Sequence, residues 1–157
     1  MARELVILWV GRHDREPWAG LCADYRQRIG RFAEVRDQHV RVRGADPARQ
    51  LEMERDAVAA ALPDPAWVAA LDSGGKARGS VEFSRWLRGI RERWPHPVVF
   101  VIGSDAGLHR DVLQQARARV SFGPMTLAHE LARLVLYEQL YRALAIERGI
   151  QYHRAPF

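Results

Sequence analysis

Apolar residues recur along this chain in two rhythms that alternate from one segment to the next. Uninterrupted apolar runs at 5–10, 67–71 and 98–102 have the length of strands buried on both faces. Between them the spacing changes to three and four. Trp18, Leu21, Cys22, Tyr25, Ile29 and Phe32 share one face of a predicted helix over 18–32. Phe83, Trp86, Leu87, Ile90 and Trp94 form a second stripe, on a helix that Ser80 is expected to cap. An Ala-, Glu- and Arg-rich segment over 47–62 reads as a helix ended by Pro63 and Pro65. Leu108, Val112, Leu113 and Ala116 mark a shorter helix, and 127–148 a long last one that Gly149 stops. Short strands are predicted over 39–43 and 120–122.

Five strands alternating with five helices predict an α/β fold, a mostly parallel sheet with helices on both faces. No repeat, low-complexity tract or linker divides residues 1–157, which are read as one domain. Ligands of such sheets sit beyond the carboxyl ends of the strands. Three glycine-bearing loops, 72–79, 103–107 and 123–127, are expected on that edge. The first strand is not followed by G-x-G-x-x-G, and no Walker loop, nucleophile elbow or H-E-x-x-H is present.

Composition narrows the class further. Apolar residues make up 48% and charged residues 27%, as in ordinary folded proteins. No apolar stretch reaches membrane-spanning length, and Arg3 and Glu4 spoil a signal peptide, so a cytoplasmic protein away from membranes is expected. Cys22 stands alone, and no Cys/His cluster has metal-ligand spacing, so neither a disulfide nor a metal is expected. Net charge is +5, and Lys76 is the only lysine among 24 basic residues. Arginine grips phosphate bidentately and stacks on bases, which suits an RNA partner. GC-rich coding produces the same arginine bias, and both explanations stand.

A combination of short motifs is more specific. Leu71-Asp72 with Gly75-Lys76 comes first, then Ile102-Gly103 with Gly107-Leu108. Ser121 with Met125-Thr126-Leu127 and His129 follows, then Arg133, Leu140-Tyr141-Arg142-Ala143, and the closing Tyr152-His153-Arg154. In this order, over essentially its whole length, the chain resembles the ribosomal large-subunit methyltransferase H family of the SPOUT superfamily. The resemblance implies a SPOUT-type fold with a C-terminal trefoil knot, an exception to unthreaded connections. It implies a homodimer that uses S-adenosylmethionine to methylate N3 of pseudouridine-1915, in helix 69 of 23S rRNA, on the assembled 70S ribosome. By position it implies a cofactor site of Leu71, Gly103, Phe122, Gly123, Pro124, Met125, Thr126 and Leu127, built largely from backbone groups. The family usually reads Gly-Gly-Pro-Glu-Gly where this chain has Gly103, Ser104, Asp105, Ala106 and Gly107, and proline at Ala128. Backbone contacts would tolerate that change; if the usual glutamate has a chemical role, Ala106 alters activity or substrate identity unless Asp105 substitutes for it.

The chemistry asks for a proton acceptor and for stabilisation of an anion, because an imide N3–H is protonated near neutral pH. His153 is the candidate acceptor. Arg142 or Arg154 is a candidate for steadying the developing oxyanion or gripping phosphate, and Tyr152 completes the terminal group. A chain end normally frays, so a Tyr-His-Arg triplet there points to function. Other residues have plainer readings: Glu138–Arg142 as a helix-surface pair, Tyr141 as core or dimer contact, Cys22 as core. His129 is expected to shape the cofactor loop, and Arg133 to contact the cofactor carboxylate or phosphate. Leu131, Leu134, Val135 and Leu140 are either a dimer contact or intrachain core. Two other functions remain: a non-catalytic RNA- or ribosome-binding module, and a methyltransferase acting on another RNA such as tRNA.

Overall fold

The apolar run of β1 (Glu4–Val10) is buried almost end to end, because strands lie on both sides of it and helices above and below. The computed structural model describes residues 4–44 and 46–154. After β1 come α1 (Trp18–Ile29), β2 (Glu34–Val40) and, behind a short 3-10 turn at Pro47–Arg49, α2 (Gln50–Ala61). Then follow β3 (Trp67–Ala77), α3 (Ser80–Arg93), β4 (Val98–Ile102), α4 (Arg110–Gln115), β5 (Ala118–Ser121) and α5 (His129–Glu147). The strands form one sheet in the order β2-β1-β4-β3-β5, with every pair parallel. All carboxyl ends therefore open on one edge.

The period of two along the central strands makes two cores. Leu5, Ile7, Trp9, Phe100 and Ile102 face α1, α3 and α5, while Val6, Leu8, Val10, Val99 and Val101 face α2 and α4. Each fully buried side chain of this size contributes about 1.5–3 kcal/mol. No described helix is long and apolar enough to cross a membrane.

Three expectations about the elements need correction. The second strand lies over Glu34–Val40 and not 39–43. Its inward positions Asp37 and His39 are polar, so the alternation that marks a half-buried strand is hidden. The cap of α3 is Gly79; Ser80 is the first helical residue, and its hydroxyl donates to Gln139 on α5 at 2.8 Å. The expected loop over 72–79 is largely strand. β3 continues to Ala77 with a bulge, so that both Leu71 and Lys76 oppose Val120. A Cβ on Gly75 would lie 2.7 Å from the Arg119 carbonyl, which restricts that position to glycine.

The polar inward positions of β2 hold α5 in place. Arg133 on α5 is 2% exposed. It donates to Asp37 (2.8 Å) and to Asp14 beyond β1 (2.8 Å), and lies 4.1 Å above the Trp9 ring. Asp37 also accepts from Trp9 Nε1 at 2.7 Å and from the Tyr137 hydroxyl at 2.5 Å. Burial works against the charge of Arg133, but the two carboxylates reverse this and hold its pKa above the ordinary value. The expectation of a cofactor or phosphate contact for Arg133 is thereby corrected, since its donors are already taken inside the fold. His39 stacks on the Trp9 ring at 3.8 Å and donates from Nε2 to the Gly11 carbonyl.

Replacing Arg133 with Met should cost about 3 kcal/mol or more, because it leaves Asp37 and Asp14 short of their partner. Urea denaturation measures this, and a loss below about 1 kcal/mol would contradict the role given to the group. Burial lowers the His39 pKa below its ordinary 6.5. Folding therefore favours the neutral ring, and that contribution is complete above about pH 6.5 and disappears on acidification. His39→Phe should flatten the fall in stability between about pH 7 and 5; an unchanged profile would contradict the assignment.

Candidate functional site

Beyond the carboxyl ends of β3, β4 and β5, next to the start of α5, the chain encloses a cavity of about 410 Å³. This is the size range of small-molecule and cofactor sites. Leu71, Ile102, Leu108, Val120, Phe122 and Leu127 give it an apolar wall. Asp72, Asp105 and His129 are the ionisable groups in its lining, and no arginine or lysine lines it. In a chain of net charge +5, the cavity is an acidic recess.

One wall is the turn after β4. A Cβ on Gly103 would lie 2.5 Å from the Gly107 carbonyl carbon, so the chain can close on itself only with glycine there. Gly107 has φ +80°, and its N–H donates to the Ser104 carbonyl at 2.8 Å. Two flanking helices clamp this turn. The Ser104 hydroxyl donates to Glu54 on α2 at 2.9 Å, and Gln50 donates to the other oxygen of that buried carboxylate. On the cavity side, His129 Nδ1 donates to Asp105 at 2.7 Å, linking the turn to the first residue of α5. Ser104 and Asp105 are thus the side chains that anchor the turn.

The second wall is 122–128. The Ser121 hydroxyl donates to the Ser73 carbonyl at 3.0 Å and accepts from the Gly123 amide at 3.0 Å, which joins β5 to the β3 bulge. Gly123 has φ +116°, a conformation that strains any other L-residue. Among the described residues, the N–H groups of Met125, Thr126 and Leu127 make no hydrogen bond, and α5 begins without a side-chain cap. Unpaired backbone donors therefore lie in the segment that lines the cavity and leads into α5.

Leu71, Gly103, Phe122, Gly123, Met125, Thr126 and Leu127 all line the cavity, while Pro124 between them does not. The sequence reading placed Asp72 in a loop at this edge without naming it or Ile102 as a lining residue, and it missed Glu54 and Gln50 behind the turn. No local signal marks the last two, which reach the turn from 50 residues away.

The second group of expected residues lies elsewhere. Arg142 is 13 positions after His129, roughly 20 Å further along α5. It donates to Glu138 at 2.6 Å and to His153 Nδ1 at 3.1 Å. The Tyr152 hydroxyl donates to Glu138 at 3.0 Å, and its ring packs edge-on against Tyr141 at 4.7 Å. Burial, with Tyr25 and Glu138 beside it, pushes the Tyr152 phenol above its ordinary range, so it stays protonated. Tyr152 therefore has a structural reason for its position, contrary to the reading of the triplet as free of one. Arg154 is exposed. Within one chain the fold does not bring 142 and 152–154 to the cavity.

Gly103→Ala should lower affinity for S-adenosylmethionine about tenfold or more, about 1.4 kcal/mol, with the chain still folded. Calorimetry reads this directly; unchanged affinity would remove the turn from the binding site. Asp105→Ala should weaken binding less, since the Ser104–Glu54 clamp remains.

The family model described as "Predicted SPOUT methyltransferase" matches residues 4–153. The ribosomal RNA large subunit methyltransferase H of Gemmatimonas aurantiaca is 40% identical over 155 residues, covering 96% of this chain and 99% of that protein. That of Acidiphilium cryptum is 42% identical over 151 residues, covering 96% and 94%. Among solved structures, a probable methyltransferase from Bordetella pertussis superposes with a TM-score of 0.57 at 17% identity, covering 91% of this chain and 96% of that one. The SpoU methyltransferase AviRb from Streptomyces viridochromogenes, solved with AdoMet, superposes with a TM-score of 0.50 at 17% identity, covering 95% and 60%. A whole-length family match and relatives at this identity lead to one conclusion: the chain belongs to the SPOUT methyltransferases, in the family of ribosomal RNA large subunit methyltransferase H.

Proposed function

We propose that this protein transfers the methyl group of S-adenosylmethionine to N3 of pseudouridine-1915, in helix 69 of 23S rRNA on the assembled ribosome, and that it works in the cytoplasm as a homodimer. The observation that carries this is the clamped, acidic cavity. Its apolar wall suits an adenine ring, and its open backbone amides suit polar and carboxylate groups. Asp72 and Asp105 suit a ligand whose sulfur is positively charged. The sulfonium supplies an electrophilic methyl group when bound.

The remaining work falls to residues at the far end of α5. A guanidinium has no acceptor, so Arg142 donates to His153 Nδ1, and the lone pair that could take the N3 proton is at that atom. Arg142 would leave Nδ1 and turn to the base carbonyl that gains negative charge as the proton departs. Tyr152 holds the segment against Glu138 and Tyr141. Arg142 lies about 15 Å along α5 from Ala132, the last residue of that helix in the cavity lining, and this separation supports a dimer in which one protomer binds the donor and its partner supplies the tail. The exposed Leu21 of α1 is a candidate contact for such a dimer. The segment 122–128 runs between the β3 bulge and the 103–107 turn on its way to α5, which supports the knotted threading of the family.

Labelled methyl from S-adenosylmethionine should enter 23S rRNA when ribosomes lacking the modification are the substrate. Label entering tRNA and not ribosomes would overturn the assignment. His153→Ala should lower transfer about a hundredfold or more while cofactor affinity stays within about twofold. Equal loss of both would place the tail in the cofactor pocket.

A further inference from the structure

The sheet edge that carries the cavity continues past it onto β1 and β2, and the character of the surface reverses there. Gly11 follows β1 and donates its N–H to the Val40 carbonyl at 3.1 Å, so the loops after these two strands run side by side. They expose Arg12, Arg41 and Arg43, and Arg49 follows in the 3-10 turn. Elsewhere the chain's arginines are mostly engaged. Arg15 pairs with Glu130, Arg36 with Glu4, Arg88 with Glu92 and Arg91 with Glu147. Arg78 and Arg117 lie over the rings of Trp86 and Trp94.

Among the described residues, Arg12, Arg41, Arg43 and Arg49 have no carboxylate partner and no side-chain hydrogen bond. The acids nearest in sequence are already engaged. Asp14 holds Arg133, Glu16 accepts from the Gly20 amide, and Asp46 accepts from the Ala48 amide. An arc of unopposed guanidinium groups thus borders an acidic recess. Sheet order places β1 beside β4, whose turn walls the cavity.

We propose that this arc is a docking surface for RNA phosphates, which seats the substrate strand beside the cavity. The two charge signs divide the labour: the recess attracts a cation, and the arc attracts a polyanion without competing for it. Guanidinium groups on two neighbouring loops suit successive phosphates of one backbone, which they grip bidentately and without regard to base. Selectivity for the target nucleotide then rests with the pocket and the shape of the RNA.

The inference rests on the reading of the protein as an rRNA methyltransferase, and the experiment separates the two. Arg41→Gln with Arg43→Gln is compared with Arg31→Gln with Arg93→Gln. The second pair removes the same charge from exposed positions just after α1 and at the end of α3, on the opposite edge of the sheet. Filter binding to 23S rRNA across a salt series, KM for unmodified ribosomes, and calorimetry with S-adenosylmethionine are the readouts. The first variant should bind RNA about tenfold or more weakly at moderate salt, with the log–log salt slope flatter by about two. Its KM should rise in parallel, while kcat and cofactor affinity stay within about twofold of the parent protein. The control pair should leave slope and KM unchanged. Equal effects of the two pairs, or an unchanged slope in the first, would overturn the docking surface while methylation by the parent protein stood. Arc-dependent RNA binding by a parent protein that methylates no ribosome would uphold the surface and overturn the reading of function.

Discussion

A buried guanidinium determines where the parts of this enzyme lie. Arg133 is closed off between Trp9, Asp14 and Asp37, and it ties α5 to both β2 and the loop after β1. Desolvating an ion is costly, and the cost is offset only when partners of opposite charge hold it with good geometry. Two carboxylates meet that condition, and Tyr137 and Trp9 add donors to one of them. The consequence is a long helix fixed at a defined height over the sheet. Its first residue meets the cavity turn through Asp105, and its last turns present Arg142 and the folded-back tail at the other end.

The cavity depends on backbone geometry more than on side-chain chemistry. Gly103 permits a self-contact that a Cβ would block, and Gly107 and Gly123 adopt left-handed conformations. Because the turn is positioned by its flanks, its centre can change composition. Ser104 and Asp105 do not reproduce the family's usual Gly-Pro-Glu, yet each makes a bond that holds the turn, to Glu54 and to His129. Ala106 contributes a backbone amide that donates to the Ser104 hydroxyl. The altered sequence is therefore a different way of bracing the same wall.

Much of this was legible in the sequence, for physical reasons that also explain the failures. The central strands are buried on both faces, so they read as continuous apolar runs, and β4 lies over the residues expected of it. The amphipathic stripes of α1 and α3 gave those helices to within a few residues. β2 was misplaced because its inward residues are the polar partners of Trp9 and Arg133, and period-two hydrophobicity cannot report a buried network. Arg133 was misassigned for the same cause: its partners lie 96 and 119 residues away. The loops at the carboxyl edge were named from the spacing of glycines and the family motif, and the fold gathers seven of the eight named positions around one cavity. The terminal triplet was legible as a group, but its attachment to Glu138 and Tyr141 was not. Neither was its distance from the cavity.

That distance makes the central claim testable in one measurement. Gly103→Ala, assayed at S-adenosylmethionine too dilute to fill its weakened cavity, impairs the cavity, and His153→Ala disables the tail. The two purified variants are mixed in equal amounts, allowed to exchange subunits, and assayed for methyl transfer to ribosomes lacking the modification. If each site joins the cavity of one protomer to the tail of its partner, half the dimers are mixed and each has one intact site. Activity should then recover to about a quarter of the parent level, from variants that alone retain about a tenth and about a hundredth of it. No recovery after demonstrated exchange would mean that cavity and tail act within one chain, contradicting the division of the site between protomers.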